Sequence, residues 1–264
     1  MHPFERLRMA ARAGGEDPGL VARQAASALA AIAGEPAAVV TACRRLVGRQ
    51  PTFGPVWWLA ARVLAAADPA HEAWRAADEL RHDPTARALA DSLPEGATVT
   101  VLGSPRQAGK ALARRGDVRV LLVDARGEGG RLLYELDEAG ADVDAVAESG
   151  LGAAVVAGDL VLLEADALGP GGLVATSGSR AAAAVAVHAG VPVWAVAGVG
   201  RALPEGLWGA LVARLDEAPE PWVGPSELVP GGLVDVVVGP TGRETLAEAV
   251  ARAGCVAVPE LTRR

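Results

Sequence analysis

Apolar runs of strand length alternate with stretches of helical spacing between residues 119 and 196. Residues 120–123, 160–163 and 191–196 are almost entirely apolar, and each run is followed by small or charged residues. Parallel strands that are buried on both faces have this appearance, and helices between them form repeated βαβ units. The pattern predicts an α/β fold with a doubly wound, mostly parallel sheet of the Rossmann-like type.

The same alternation extends over the chain from residue 96 onward. Residues 200–231 interrupt it with many Pro and Gly residues, and we expect this excursion to form a lid or a contact in a dimer. Strands are predicted at 98–103, 119–124, 143–149, 160–166, 191–197 and 234–239, and helices near 106–115, 129–139, 150–157, 178–189 and 242–252.

Residues 1–95 have helical spacing instead, and we predict a helical N-terminal subdomain there, followed by the α/β domain in 96–264. Asp17, Glu35 and Asp68 each directly precede a proline, which is typical of a first helical turn. Trp57, Trp58 and Trp74 are predicted to anchor the core of the subdomain. The predicted helices span 19–33, 36–48, 54–67, 69–81 and 84–92.

Composition restricts the cellular setting. With 51% apolar residues and a mean hydropathy of +0.25, the chain is not of the disordered class. Charges interrupt its apolar stretches, and its N-terminus has no apolar segment typical of a secretion signal, so we expect a cytoplasmic protein without a membrane partner. Cys43 and Cys255 are expected to be buried thiols.

The charge is unevenly distributed. Residues 1–95 contain 11 basic and 11 acidic side chains, so the whole net charge of −7 lies in residues 96–264. Nucleic-acid backbones require basic surfaces, and nonspecific nucleic-acid binding is therefore disfavoured. A small anion is compatible with this charge, because a few backbone N–H groups and one arginine suffice to bind it.

The ends of the predicted strands contain the candidate ligand residues, since ligands of such sheets bind there. GSPRQAGK, from Gly103, is similar to a phosphate-binding loop, but it is one residue too long and Ala111 replaces the required Ser or Thr. Its turn, with Gly103, Ser104 and Arg106, could still bind a phosphate or could merely connect two elements.

The sequence DARGEGG places an arginine and several glycines after the second strand. Arg126 could bind a phosphate or carboxylate through two parallel hydrogen bonds, while Gly129 lets the backbone approach a ligand. The alternative is a surface ion pair of Arg126 with Asp124 or Glu128.

Asp166 ends an apolar run and is expected to be buried, with a catalytic role or a role in capping the following turn.

The segment TSGSR at residues 176–180, with Ser177, Gly178 and Ser179, could cap a helix or bind an anion with its N–H groups. The four histidines have no spacing typical of metal ligands, and no G-x-S-x-G motif occurs. We therefore expect neither a metal nor a cofactor.

Taken in order, these segments resemble a known family over about residues 51–262. DARGEGGRLLYEL is similar to its E-x-R-P…Q/E-G…L element, VDAVAESGLGAAVVAGDLVLLEADAL to its D-x-V-x-x-G-A-D element, and GPGGLVATSGSR to N-G-x-x-x-N-K-x-G-T. The family comprises the alpha, beta and delta subunits of translation initiation factor 2B, methylthioribose-1-phosphate isomerase and ribose-1,5-bisphosphate isomerase.

The resemblance implies a helical part before a doubly wound domain, a homodimer, and a site at the strand ends. In the isomerases a cysteine and the aspartate of G-A-D act on an aldose phosphate. Asp166 matches that aspartate and Arg126 the family arginine, whereas Pro105 stands near the position of the cysteine. Ala175 and Thr176 replace the Asn-Lys pair.

An acid/base pair requires both of its members, so Asp166 alone is expected to give little isomerase activity. We therefore predict a homodimeric protein that binds a sugar phosphate or a nucleotide phosphate without the family's isomerase chemistry. One alternative is an aldose-ketose isomerase of altered specificity that uses Asp166, with Ser104 or a different partner. Another is a non-catalytic protein-interaction subunit.

Overall fold

A computed structural model describes residues 18–217, 220 and 222–263, which form two compact units. Of the described residues, the helical unit comprises those up to Asp83, a second stretch at Val199–Glu217 and a third from Val250 onward. The α/β unit comprises Pro84–Gly198 and the described residues of 220–249. The sequence placed a single boundary near residue 95, whereas the chain changes unit first after Asp83 and then returns twice to the helical unit.

In the helical unit, the apolar faces of several helices pack against each other. Trp57 and Trp58 are buried, as predicted, and the indole N–H of Trp58 donates to the Ala253 carbonyl at 2.9 Å. The prediction for Trp74 is wrong, because the buried face of its helix consists of Glu72, Leu80 and alanines, and Trp74 points outward with 47% exposure. The helices are Pro18–Ala30, Pro36–Arg49, Gly54–Ala65, Pro69–Arg81, Glu205–Leu215 and Pro259–Thr262.

The start of the fourth helix shows why the acid-proline pairs predicted helices. Pro69 occupies its first turn, where a backbone N–H is not needed. The Asp68 carboxylate accepts a hydrogen bond from the His71 N–H at 3.0 Å and so caps the helix.

The α/β unit is built on a seven-stranded sheet in the order β10-β9-β7-β4-β1-β2-β3. All neighbouring strands are parallel except β10 and β9, which confirms the predicted fold class. Buried Val and Leu residues of the central strands form its core. The strands are β1 (Thr98–Leu102), β2 (Arg119–Asp124), β3 (Asp142–Ala147), β4 (Leu160–Glu164), β5 (Ala167–Gly169), β6 (Gly172–Thr176), β7 (Val193–Val196), β8 (Ser226–Pro230), β9 (Val236–Gly239) and β10 (Gly242–Glu244).

Helices connect most of these strands, as the alternating pattern predicted. The helices after β1, β2 and β3 are separated from these parallel strands by three to five residues, which places their N-termini at the carboxyl end of the parallel sheet. Among the described residues, no helix is long and apolar enough to cross a membrane. The helices of this unit are Thr85–Ser92, Arg106–Leu112, Gly130–Glu138, Leu151–Ala157, Ser179–Ala189 and Leu246–Ala251.

A second, antiparallel sheet in the order β5-β6-β8 was not predicted. Its β5 strand has three residues, and β8 lies in the Pro/Gly-rich excursion, where the apolar pattern is weak. Thr176 of β6 pairs with Ser226 of β8. This pairing places the beginning of β8 next to the predicted site residues that follow Thr176.

Candidate functional site

Three of the predicted turns meet at the carboxyl edge of the parallel sheet. Gly103 follows β1 with a φ of +64°, and its N–H donates to the Val123 carbonyl of β2 at 2.9 Å. A Cβ on Gly103 would lie 3.9 Å from Oγ1 of Thr176 and 4.0 Å from Cβ of Ala125. The turns after β1, β2 and β6 are therefore neighbours.

Arg126 lies in the turn after β2 with a φ of +60°, a left-handed conformation that is rare for residues other than glycine. Its Nη1 donates to the carbonyls of Val223 at 3.4 Å and Gly224 at 3.3 Å. Its Nε is 3.6 Å from a carboxylate oxygen of Glu128, so the alternative ion pair is present at a long distance. The Arg126 backbone N–H donates to Glu148 at 3.3 Å.

Ser177 shares an acceptor with Arg126. Its hydroxyl donates to the Gly224 carbonyl at 2.6 Å, the oxygen that Arg126 Nη1 also contacts. Its backbone N–H donates to the Pro225 carbonyl at 3.0 Å. Two predicted site residues from different turns thus direct their donors at one oxygen atom.

The helix Ser179–Ala189 begins after Gly178, which has a φ of +97° and provides no side-chain cap. Ser179 is buried. The side chain of Glu227 supplies the anion instead, since its Oε1 accepts from the Arg180 N–H at 2.9 Å. This N-terminus therefore interacts with a negative charge, but with one that belongs to the chain itself.

A second carboxylate caps the N-terminus of the helix that follows the Gly103 turn. Oε2 of Glu164, at the end of β4, accepts from the N–H groups of Gln107 at 2.7 Å and Ala108 at 3.1 Å. Of the predicted phosphate ligands in this turn, Ser104 is exposed and Arg106 is half-buried. Two N–H groups that could have contacted a phosphate are thus already used within the protein.

Asp166 is half-buried, whereas the sequence led us to expect full burial. Its Oδ2 accepts a hydrogen bond from the Ser226 hydroxyl at 3.1 Å, and its backbone N–H donates to Val174 at 2.7 Å. Gly129 also differs from the expectation of a free backbone, because its N–H donates to Oδ1 of Asp124 at 2.7 Å.

The two cysteines lie outside the α/β unit. Burial raises the pKa of Cys43 to about 12, and burial also raises that of Cys255 to about 12 although Arg62 opposes the shift. Both thiols are therefore protonated at neutral pH, and a protonated thiol is a weak nucleophile. Among the described residues, no group of three or more His, Cys, Asp or Glu side chains could hold a metal ion.

Four residues that contact the predicted ones, Glu164, Gly224, Ser226 and Glu227, were not among the residues predicted from the sequence. Glu164 had a visible signal, because it is a charged residue at the end of an apolar strand. Gly224, Ser226 and Glu227 had none, since their partners lie 47 to 98 residues away in the sequence and the contacts depend on the pairing of β6 with β8.

The fold of this chain is that of solved translation initiation factor 2B subunits. The beta subunit of eIF2B from Chaetomium thermophilum superposes with a TM-score of 0.74 at 20% sequence identity, over 98% of this chain and 91% of that chain. The resemblance seen in the sequence is confirmed for the fold.

Two further structures have the same fold. Translation initiation factor eIF-2B from Pyrococcus horikoshii OT3 matches with a TM-score of 0.73 at 14% identity, covering 91% of this chain and 96% of that one. A chain of the tetrameric eIF2B-beta2-delta2 complex from C. thermophilum matches with a TM-score of 0.74 at 18% identity, covering 94% and 92%. No protein-family model and no curated protein matches the sequence.

Proposed function

We propose that this protein binds a small phosphorylated ligand, a sugar phosphate or a nucleotide phosphate, at the carboxyl edge of its parallel sheet and does not isomerise it. One observation carries the proposal: the Arg126 guanidinium and the Ser177 hydroxyl, from separate turns, both donate to a single oxygen atom. A phosphate oxygen in place of that carbonyl would receive the same two donors, with added charge attraction to the guanidinium.

The remaining charges restrict where the phosphate can lie. Glu164 already accepts the N–H groups of Gln107 and Ala108, and its negative charge repels an anion from that side. The phosphate is therefore assigned to the Arg126 and Ser177 side of the edge rather than to the Gly103 turn.

The absence of isomerase chemistry follows from the residue types at this edge. Moving a proton between two sugar carbons requires acid and base groups on the substrate. Asp166 is the only residue here that matches an isomerase catalytic group, and its carboxylate accepts a hydrogen bond from Ser226. No Cys, His or Lys occurs in the segments 103–106, 124–129, 164–166, 176–180 and 222–227.

Isothermal titration calorimetry with ribose 5-phosphate, and with ribose as the unphosphorylated control, tests binding. Arg126→Ala should weaken binding of the phosphate by about 1.5–3 kcal/mol, the range for a hydrogen bond to a charged group. Arg131→Ala is the matched control, because Arg131 is exposed and pairs with Glu135 on the surface of its own helix. Equal affinities of the parent and Arg126→Ala would remove Arg126 from the site.

Isomerase activity is tested separately by NMR with methylthioribose 1-phosphate and ribose 1,5-bisphosphate. We expect no ketose product above the background of Asp166→Asn. Turnover on the order of 1 s⁻¹ or faster that Asp166→Asn abolishes would establish the isomerase alternative instead.

Association with further chains is a second proposed function. The tetrameric complex that contains one of the similar structures supports it, as do Val156 and Val187, which are 62% and 52% exposed on neighbouring helices of the α/β unit. Sedimentation should show a species about twice the 26.7 kDa chain mass, and Val187→Glu should shift it toward the monomer. A monomer at micromolar concentration would contradict this proposal.

A further inference from the structure

Residues 222–227, here termed the strap, lie across the donors of the candidate site. The strap contributes backbone oxygens and one carboxylate, and all of them accept hydrogen bonds from the site. The carbonyls of Val223 and Gly224 accept from Arg126, that of Gly224 also from Ser177, and that of Pro225 from the Ser177 N–H. Farther along, Glu227 accepts from the Arg180 N–H.

This set of contacts is chemically similar to that of a bound phosphate ester. A guanidinium, a hydroxyl and backbone N–H groups at a helix N-terminus are the groups that bind phosphate oxygens in proteins. In this chain, oxygens of the strap occupy those donors. The ligand and the strap cannot use the shared donors at the same time.

The strap is also weakly anchored by apolar contacts. The side chains of Trp222 and Val223 are 79% and 59% exposed, so this end of the strap buries little apolar surface. The two Arg126 hydrogen bonds are 3.3 and 3.4 Å long, beyond the usual range for N–H···O bonds. Segments with few buried apolar contacts open at low free-energy cost.

We infer that the strap is an internal occupant of the site and that a phosphorylated ligand binds by displacing it. This inference rests on the proposed phosphate binding. In the closed state the strap satisfies Arg126 and Ser177, and in the open state these donors turn to the ligand. The apparent affinity is then the intrinsic affinity reduced by the fraction of molecules with an open strap.

Ser226→Ala provides the discriminating variant. The Ser226 hydroxyl ties the strap to Asp166 but is not one of the donors that the strap shares with a phosphate. If the strap competes, Ser226→Ala should bind ribose 5-phosphate about 3- to 10-fold more tightly than the parent, the ratio that corresponds to one net hydrogen bond. Thr262→Ala is the matched control, because it removes a hydroxyl of the helical unit that donates only to Pro259 at 3.5 Å.

Chymotrypsin reports the opening directly. Trp222 is the most exposed tryptophan of the described residues, and cleavage after it requires the strap to leave the site. Ribose 5-phosphate should accelerate this cleavage several-fold, and Ser226→Ala should raise the cleavage rate without ligand. Trp222→Ala lacks the cleavage site, so the fragment that is missing from its digest is the one produced by cleavage after Trp222.

The outcomes separate the two proposals. Binding of ribose 5-phosphate that leaves the cleavage rate unchanged or lowers it, with equal affinity for the parent and Ser226→Ala, would overturn strap displacement and leave phosphate binding intact. If neither protein binds ribose 5-phosphate in the calorimeter, both proposals are wrong. Tighter binding together with faster cleavage establishes displacement.

Discussion

Arg62 in the helical unit and Arg126 in the α/β unit differ in burial and in their hydrogen-bond partners. Arg62 is 8% exposed, contacts Glu72, donates to Glu79 at 2.6 and 2.9 Å, and stacks on the Trp58 ring at 4.3 Å. Arg126 is 35% exposed, has long contacts to backbone carbonyls and sits at a left-handed φ.

The difference separates an arginine that stabilises a core from one that can bind a ligand. The charge of Arg62 is matched by Glu72 and Glu79, so removing it would leave the buried Glu72 with only the exposed Arg75 as a partner. Arg126 can change partners at little cost, and its backbone conformation is one that folding alone would not favour. We expect substitutions at the first arginine to affect stability and those at the second to affect binding.

The largest effect is expected from Arg62→Ala, which removes one member of a buried ionic cluster. Such a change costs about 3 kcal/mol, the lower end for breaking a buried ion pair, because the buried Glu72 would keep only its contact with the exposed Arg75. Urea denaturation followed by circular dichroism measures the loss. Arg75→Ala is the control, since Arg75 contacts the same glutamate from a 58% exposed position and should cost less than about 1 kcal/mol.

A double variant refines this test. Arg62→Leu combined with Glu72→Leu removes both buried charges and should recover much of the stability lost in Arg62→Ala. If the double variant is as unstable as the single one, packing around the Trp58 ring rather than charge matching explains the role of Arg62.

Substitution of Arg115 tests whether the role of an arginine in this protein depends on the unit in which it lies or on its contacts. Arg115 lies in the α/β unit, yet it donates to the carbonyls of Ala90, Leu93 and Pro94 and pairs with Asp117 at 2.7 Å. Arg115→Ala should lower the free energy of unfolding by about 2 kcal/mol, as expected for hydrogen bonds to a charged group. Arg114→Ala, at an exposed neighbouring position, should have almost no effect.

The same cluster predicts a pH dependence. Hydrogen bonds from Arg115 and from the Gly96 N–H hold the pKa of Asp117 well below its usual range. A carboxyl group with a lowered folded-state pKa stabilises the protein above its unfolded pKa of about 3.9 and loses that contribution as the pH falls further. The stability difference between the parent and Asp117→Asn should therefore be constant near pH 7 and shrink below about pH 4.

The smallest effect, and one of opposite sign, is expected from Arg126→Gly. Glycine adopts a φ of +60° without the penalty of about 1 kcal/mol that other residues pay, so this variant should be as stable as the parent or slightly more stable. It should nevertheless lose affinity for ribose 5-phosphate. A destabilised Arg126→Gly would show that the arginine supports the fold and would weaken its assignment to a ligand site.

The sequence predicted the central strands because both faces of the sheet are covered, so β2 and β4 are unbroken apolar runs. It also predicted Pro69 and Asp68 as a helix start, which depends only on neighbouring residues. It failed for β8 and for Trp74, where tertiary context decides. An exposed tryptophan on an alanine-lined helix has no local signal that distinguishes it from a core residue.

For the site, the sequence identified donors but not the groups that occupy them. Arg126 was found because it follows a strand of the predicted sheet, and Ser177 because it precedes a predicted helix. Glu227 was not, although it supplies the carboxylate at the N-terminus of the Ser179–Ala189 helix. The reason is physical: whether a donor is available depends on the pairing of distant strands, which no local pattern encodes.

The assembly of the helical unit from three stretches of chain has a consequence for biosynthesis. The acceptor for the Trp58 indole, the Ala253 carbonyl, emerges from the ribosome about 170 residues after the first helices are complete. At a translation rate of about 5–20 residues per second, roughly 10–35 s pass between the synthesis of those helices and the synthesis of their last partners. During that interval the Trp58 side of the helix is a surface that a chaperone could bind, until the segment with Ala253 covers it.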